Sequence, residues 1–188
     1  GHGYGVSASE PQDDPTPLSR GIVKKDGFLF DCVDLCIDEG GTYCIMGANA
    51  SGKSVLLRLL AKLEEPLEGE VKHASNLDVG FYDQYVVDEM TRKNGTGNAL
   101  SYLTERFPKK NDQDIRSELS AFGLGKTQIQ TSLSFLSGGE RSRLCLAALM
   151  LGDPQVLMLD NPTSNLDVES VEALIYGLGK WNGTVVLV

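Results

Sequence analysis

The stretch Gly47-Ala48-Asn49-Ala50-Ser51-Gly52-Lys53-Ser54 carries the densest chemistry in the chain. Its spacing, G-x-x-x-x-G-K-S, is that of a loop that cradles phosphates. Two glycines let the backbone bend inward, so that its N–H groups face an anion at the positive end of the following helix. Lys53 supplies a charge that reaches the outer phosphates, and the Ser54 hydroxyl is a ligand for Mg²⁺. Val55 completes the cradle as the first apolar residue beyond it. Further along, Ser137-Gly138-Gly139-Glu140 opens a helical pattern and makes a second anion-binding terminus. Asp160 follows four apolar residues, which puts an acid at the tip of a buried strand, and Asn161 stands next to it.

Such residues need strands and helices to hold them. Thr42–Met46 reads as a short strand entering the loop, and Val55–Leu63 is apolar at helical spacing. The order strand, glycine loop, helix is the one a phosphate loop requires. Upstream, Gly27–Phe30 and Cys32–Ile37 read as strands, the second joined to Thr42–Met46 by the Asp38-Glu39-Gly40-Gly41 turn. Glu70–Lys72 and Leu77–Tyr82 read as two more strands, with Gln84 directly after. From Val86 to Leu133 the pattern is helical. Ala99, Leu100, Leu103 and Phe107 share one face, as do Ile115, Leu119 and Phe122. A long helix from Leu136 carries Leu144, Ala147, Ala148 and Leu151 on its apolar side, and Gly152-Asp153-Pro154 stops it. Val168–Leu178 is a further helix, and Thr184–Val188 a final buried strand.

Bulk composition narrows the function classes. A chain of 188 residues suits one domain with a sizeable core. The formal net charge of −9, with no run of Lys and Arg, argues against a broad nucleic-acid-binding face. Cys32, Cys36, Cys44 and Cys145 lack the spacing of zinc pairs, and three of them sit in apolar runs. Reduced core cysteines in the cytoplasm are the expectation. No stretch reaches transmembrane length, and the first 20 residues, rich in Gly, Ser, Pro and acid, read as a flexible lead-in. The chain starts without Met and stops inside an apolar run, so we expect a piece of a longer protein, truncated at its C-terminus.

Phosphate loop, Gln84 at a strand end, LSGGE, VLMLD and SNLD, in that order, resemble the ATP-binding cassette (ABC) ATPases from about Gly21 to Val188. LSGGE is the specific element. Within the class, LSGGERSRL, LDNPTSNLDVESVEAL and GFYDQYVVDEM are most similar to the ABC-F group, translation-linked proteins without membrane domains. The closest likeness is to a second cassette of its eukaryotic branch. The resemblance implies an α/β fold: a P-loop NTPase cassette with an N-terminal antiparallel β-subdomain and an inserted helical subdomain over about 86–153, within a domain of 21–188. It implies ATP and Mg²⁺ as ligands, with Ser54 and Gln84 on the metal and Asp160 holding it through water. Ser137, Gly138, Gly139 and Glu140 would face ATP held by a second cassette, in the same parent chain or in a homodimer, and Asp167 would lie at that face. A ribosomal surface would be met only through parts outside this chain.

The chain departs from the family's pattern in four places. Asn161 occupies the position of the glutamate that acts as general base, so of the catalytic set Lys53, Gln84 and Asn161 the last orients water without accepting its proton. Such assistance is typically worth about 10²–10⁴-fold. Asn165 stands where ABC-F proteins usually have His, and the switch histidine would fall beyond Val188. No Tyr marks the base-stacking position, for which Phe28 is the nearest residue. Two alternatives stay open: a non-hydrolysing ATP-binding regulatory module, and the cassette subunit of a transporter. The lack of an N-K-x-D motif argues against a GTPase.

Overall fold

The structure, a computed structural model, describes Leu29 and residues 33–188. The lead-in, Phe28 and Cys32 lie outside the described residues, as does all of the Gly27–Phe30 strand except Leu29. Four parallel strands form one sheet in the order β1-β4-β3-β2, with β1 at Thr42–Cys44, β2 at Val79–Tyr82, β3 at Val156–Leu159 and β4 at Thr184–Leu187. Val156 lies between Val79 and Thr184 in register, and Thr42 pairs with Val185. The β3 residues VLML are buried throughout, as a strand covered on both faces must be. β1 lies at the sheet edge, and Thr42 and Cys44 are exposed.

Alternate residues of these strands serve two different cores. Phe81, Val156, Met158 and Val186 pack on Leu57 of α1 (Lys53–Leu60). Tyr82, Leu157 and Leu159 turn to the other face, against a helical layer. That layer comprises α2 (Gln84–Asn94), α3 (Ala99–Arg106), α4 (Asp112–Ala121), α5 (Lys126–Gln130), a 3₁₀ turn over Leu133–Phe135 and α6 (Gly138–Gly152). Leu103, Ile115, Leu119, Leu124, Leu133 and Leu144 are fully buried there. Met90 and Tyr102 belong to this core too, as the sequence suggests. Side chains of Asp83, Asn98, Asn111 and Ser137 cap α2, α3, α4 and α6 respectively, each accepting from a backbone N–H. Gly123 follows α4 with φ +72°, a left-handed turn suited to glycine. Asp153, also left-handed, ends α6 ahead of Pro154. A final helix, α7 (Val168–Lys180), returns the chain to β4.

Three expectations change. Residues 33–37 and 70–72 form no strand, and the one antiparallel pairing among the described residues is the Asn98–Ser132 bridge. Despite their alternation, residues 33–37 join no ladder, and Val33 and Leu35 are half exposed. Cys36 and Cys44 are exposed free thiols; only Cys145, of the three described, lies in the core. Short apolar runs misled here because Cys44 occupies an outward position of an edge strand. Finally, α6 buries Cys145, Leu146 and Leu149 as well as its expected apolar side, because helices cover its back while the sheet covers its front.

Candidate functional site

Parallel strands deliver their carboxyl ends to one edge of the sheet, the usual place for a ligand in such folds. β1 leads into 47–54, β2 into Asp83 and Gln84, and β3 into Asp160 and Asn161. β2 and β3 are neighbours, and Asp160 N–H donates to the Tyr82 carbonyl at 2.8 Å, so Gln84 and Asp160 leave from adjacent strand tips. The glycine loop leaves one strand further on, beyond β4.

The loop owes its shape to two left-handed residues, Ala50 at φ 59° and Gly52 at φ 92°. Gly52 is the N-cap of α1 and offers no side chain, so the first N–H groups of that helix stay open to an anion. At Gly47 a Cβ would sit 2.9 Å from Ser51 Oγ, so a larger residue there requires that hydroxyl to move. Lys53 Nζ folds back to donate to the Gly47 and Ala48 carbonyls at 3.0 and 2.9 Å. An ammonium held only by neutral carbonyls is readily won by phosphate oxygens, since charge-assisted bonds are roughly twice as strong. Ser54 and Val55 lie half-buried in the first turn of α1.

Asp160 provides the test of whether these residues suit a divalent cation. Its Oδ1 is buried and has no hydrogen-bond partner. A buried carboxylate oxygen without a partner costs free energy that a metal or its bound water would recover. Together with the Ser54 hydroxyl and the Gln84 amide oxygen it makes an all-oxygen donor set, the kind Mg²⁺ prefers. The residues present therefore fit that ion.

Asn161 is exposed, with a left-handed backbone at φ 49°. Its N–H donates to the Val188 carbonyl at 3.0 Å and its carbonyl accepts from Ser164 N–H at 3.2 Å. Asparagine tolerates that conformation better than most residues.

At the α6 terminus, Ser137 and Glu140 close a reciprocal cap. Ser137 N–H donates to Glu140 Oε2 at 2.7 Å, and Glu140 N–H to Ser137 Oγ at 3.2 Å. The Ser137 backbone bond holds the Glu140 carboxyl below its ordinary value. Glu140 thus serves its own helix end, which differs from the ligand contact expected of it. The next N–H groups, of Gly138 and Gly139, have no intrahelical acceptor by position. Around Gly138 an added Cβ would meet nothing within 4 Å. At Gly139 it would lie 2.9 Å from the Asn165 carbonyl oxygen, so the helix end rests on the 161–167 turn. Gly139→Ala is expected to push the two apart and lower thermal stability by about 1–3 kcal/mol, read by denaturant unfolding, while Gly138→Ala stays within about 1 kcal/mol. Equal losses for the two would contradict this packing.

Asn165 reaches the other way as well. Its Nδ2 donates to Gln84 Oε1 at 2.6 Å, while Gln84 Nε2 donates to Asp88 Oδ1 at 3.1 Å. Asp167 caps α7 by accepting from Ser170 N–H at 2.9 Å, and Arg143 of α6 donates to it at 3.2 Å. The Ser170 hydroxyl and N–H, with Arg143 after them, hold its carboxyl below the usual range.

Beneath the site lies a group that sequence reasoning missed. Arg58 of α1, buried, donates to Asp83 Oδ2 at 2.8 Å and to Glu64 Oε1 at 2.7 Å. Asp83 also caps α2, accepting from Val86 N–H at 2.7 Å. It thereby fixes the residue before Gln84. An acid at a strand end beside Gln84 was the only signal, and its partner 25 positions away leaves no local trace.

A family model described as ABC transporter matches residues 30–164. Protein GCN20 of Saccharomyces cerevisiae is 34% identical over 164 residues, 87% of this chain. ABC transporter F family member 4 of Arabidopsis thaliana is 35% identical over 175 residues, 91% of the chain. The human ATP-binding cassette sub-family F member 3 is 32% identical over 161 residues, 85% of the chain. The chain spans only 21%, 24% and 22% of the length of these three relatives. Among solved structures, the ATP-binding cassette MJ0796, in a dimeric post-hydrolysis state bound to ADP and Pi, superposes with TM-score 0.69 at 23% identity, covering 85% of this chain and 79% of that one. An ABC transporter ATP-binding protein from Pyrococcus furiosus gives 0.65 at 19% identity, covering 81% of this chain and 80% of that one.

Proposed function

The chain belongs to the ABC transporter family, and from that premise we propose that it is an ATP-binding and ATP-hydrolysing cassette of the ABC-F type, closing on nucleotide against a second cassette. The observation that carries this reading is the single sheet edge where the glycine loop, Gln84 and Asp160 emerge, with one oxygen of Asp160 buried and unpartnered. Lys53 and the loop N–H groups bind the polyphosphate. Ser54, Gln84 and Asp160 hold Mg²⁺, which neutralises charge on the phosphates when bound. Lys53→Ala is expected to weaken MgATP binding about 10- to 100-fold, the scale of a lost charge-assisted bond. Calorimetry on the folded variant reads it, and unchanged affinity would overturn the nucleotide site.

Gly138, with open space around its Cα, is exposed at the first turn of α6, as a surface for nucleotide held by a partner must be. The partner would be a second cassette in the same parent chain or a second copy. Ser137→Arg should abolish ATP-induced association in sedimentation, because it opens the Ser137–Glu140 cap and puts bulk at that surface. Association undiminished by the change would count against the sandwich.

Asn161 favours a slower reading of the same site: a clamp that binds ATP and hydrolyses it sluggishly, or a module that does not hydrolyse. Translation-linked work, with a ribosomal surface met through parts outside this chain, is the setting that the F-group resemblance supports, and the cytoplasm is the matching compartment. Cys36, Cys44 and Cys145 are free thiols, and among the described residues no helix is long and apolar enough to cross a membrane.

A further inference from the structure

Both polar ends of the Gln84 side chain are occupied by other side chains of this chain. Its oxygen accepts from Asn165 and its nitrogen donates to Asp88. Gln84 Oε1 is also an atom the proposed metal site needs, while another of its ligands, Asp160 Oδ1, has no hydrogen-bond partner. The same residue that holds Gln84 also packs at the start of α6: the Asn165 carbonyl lies 2.9 Å from where a Gly139 Cβ would stand. Its turn is tied at both ends. Asn161 is anchored to Val188, and Asp167 caps α7.

Resting on the nucleotide reading above, we propose that Asn165 is a positioning residue for Gln84: its amide parks the glutamine oxygen, and a divalent cation competes with that N–H for the oxygen as it completes the metal site. Loading the metal then releases the Asn165 side chain on the turn that supports Gly139. One exchange of a hydrogen bond for a metal bond therefore links the strand-tip ligands to the helix end that faces the partner. The latch is weak enough to open. Both side chains are exposed, and a neutral side-chain bond there is worth a few-fold in an equilibrium. It requires a donor at this position, since a residue without one cannot hold the glutamine oxygen.

The test compares the affinity of the full chain for a non-hydrolysable ATP analogue in Mg²⁺ and in EDTA. The ratio of the two affinities is the readout. Asn165→Ala should raise that ratio about three- to tenfold, the span of one released hydrogen bond, with the EDTA affinity within about twofold of the parent. In a Gln84→Ala background the same substitution should leave the ratio unchanged within about twofold, because the latched atom is gone. A ratio that does not rise, or one that rises equally without Gln84, overturns the latch. Affinities that fall together in Mg²⁺ and EDTA identify a merely structural role and also overturn it. Absence of analogue binding by the parent chain in either condition sinks the nucleotide reading and the latch with it. Normal binding with an unmoved ratio sinks the latch alone.

Discussion

Arg58→Ala destabilises the fold by about 3–5 kcal/mol at neutral pH, the range for breaking a buried ion pair by removing one partner. Arg58 and Asp83 are 7% and 6% exposed, so neither charge has water to fall back on. The guanidinium bridges Asp83 and Glu64 and stands 5.9 Å from the centre of the Phe81 ring. Burial pushes the Asp83 carboxyl above its ordinary value, while the Val86 N–H and Arg58 pull it back down. Without Arg58 that upward push is left less opposed. An acid whose folded pKa is raised binds its proton more tightly folded than unfolded. Its favourable contribution is complete below the unfolded pKa and is lost as pH rises through the folded one. The deficit of Arg58→Ala should therefore shrink as pH falls through that window. Urea unfolding from pH 7 downward reads both the size and the sign. A loss below about 1 kcal/mol, the scale of a surface pair, would contradict the buried network. Arg58→Lys should recover only part of the loss, because an ammonium cannot fork between two carboxylates. Because Asp83 caps α2 directly ahead of Gln84, the same variant should also disturb the nucleotide site.

How much of this could be read from residues alone divides along physical lines. Local signals with a mechanism were legible: Gly47 to Ser54 between a strand and a helix, the acid tip of VLMLD, and Ser137-Gly138-Gly139-Glu140 as the start of a helix. Each is encoded within a few residues, so each appears in the sequence. Residues 33–37 alternate correctly for a strand yet join no ladder, because pairing depends on a partner that a local pattern does not encode. Cys44 lies in an apolar run but faces outward, since an edge strand has only one covered side. Contacts across long sequence separation were invisible. Arg58 meets Asp83, and Asn165 meets Gln84, only because the sheet order brings β2 and β3 side by side over α1. The Glu140 carboxylate accepts from Ser137 N–H within its own helix end, a reciprocal cap that the sequence reading did not draw from the Ser137–Glu140 spacing.

Asn161→Glu accelerates ATP turnover at least tenfold, and up to about 10²–10⁴-fold where proton transfer limits the rate. An amide at this position can orient a water molecule but cannot take its proton, whereas the groups proposed to bind phosphate and metal emerge at one sheet edge. Phosphoryl transfer rests mainly on positioning and electrostatics, so the parent retains a residual rate. The substitution has a cost. Asn161 is left-handed at φ 49°, and a residue less suited to that conformation should lose about 1 kcal/mol of stability. ATP affinity should barely change, because the new carboxylate adds nothing to the phosphate cradle. The decisive measurement is therefore paired: ATP affinity and turnover of the full chain and of Asn161→Glu, at concentrations where the protein associates. The expected result is equal affinity within about twofold, with turnover at least tenfold higher in the variant. Turnover in the parent as fast as in the variant would show that the base lies elsewhere and that the slow clamp does not exist.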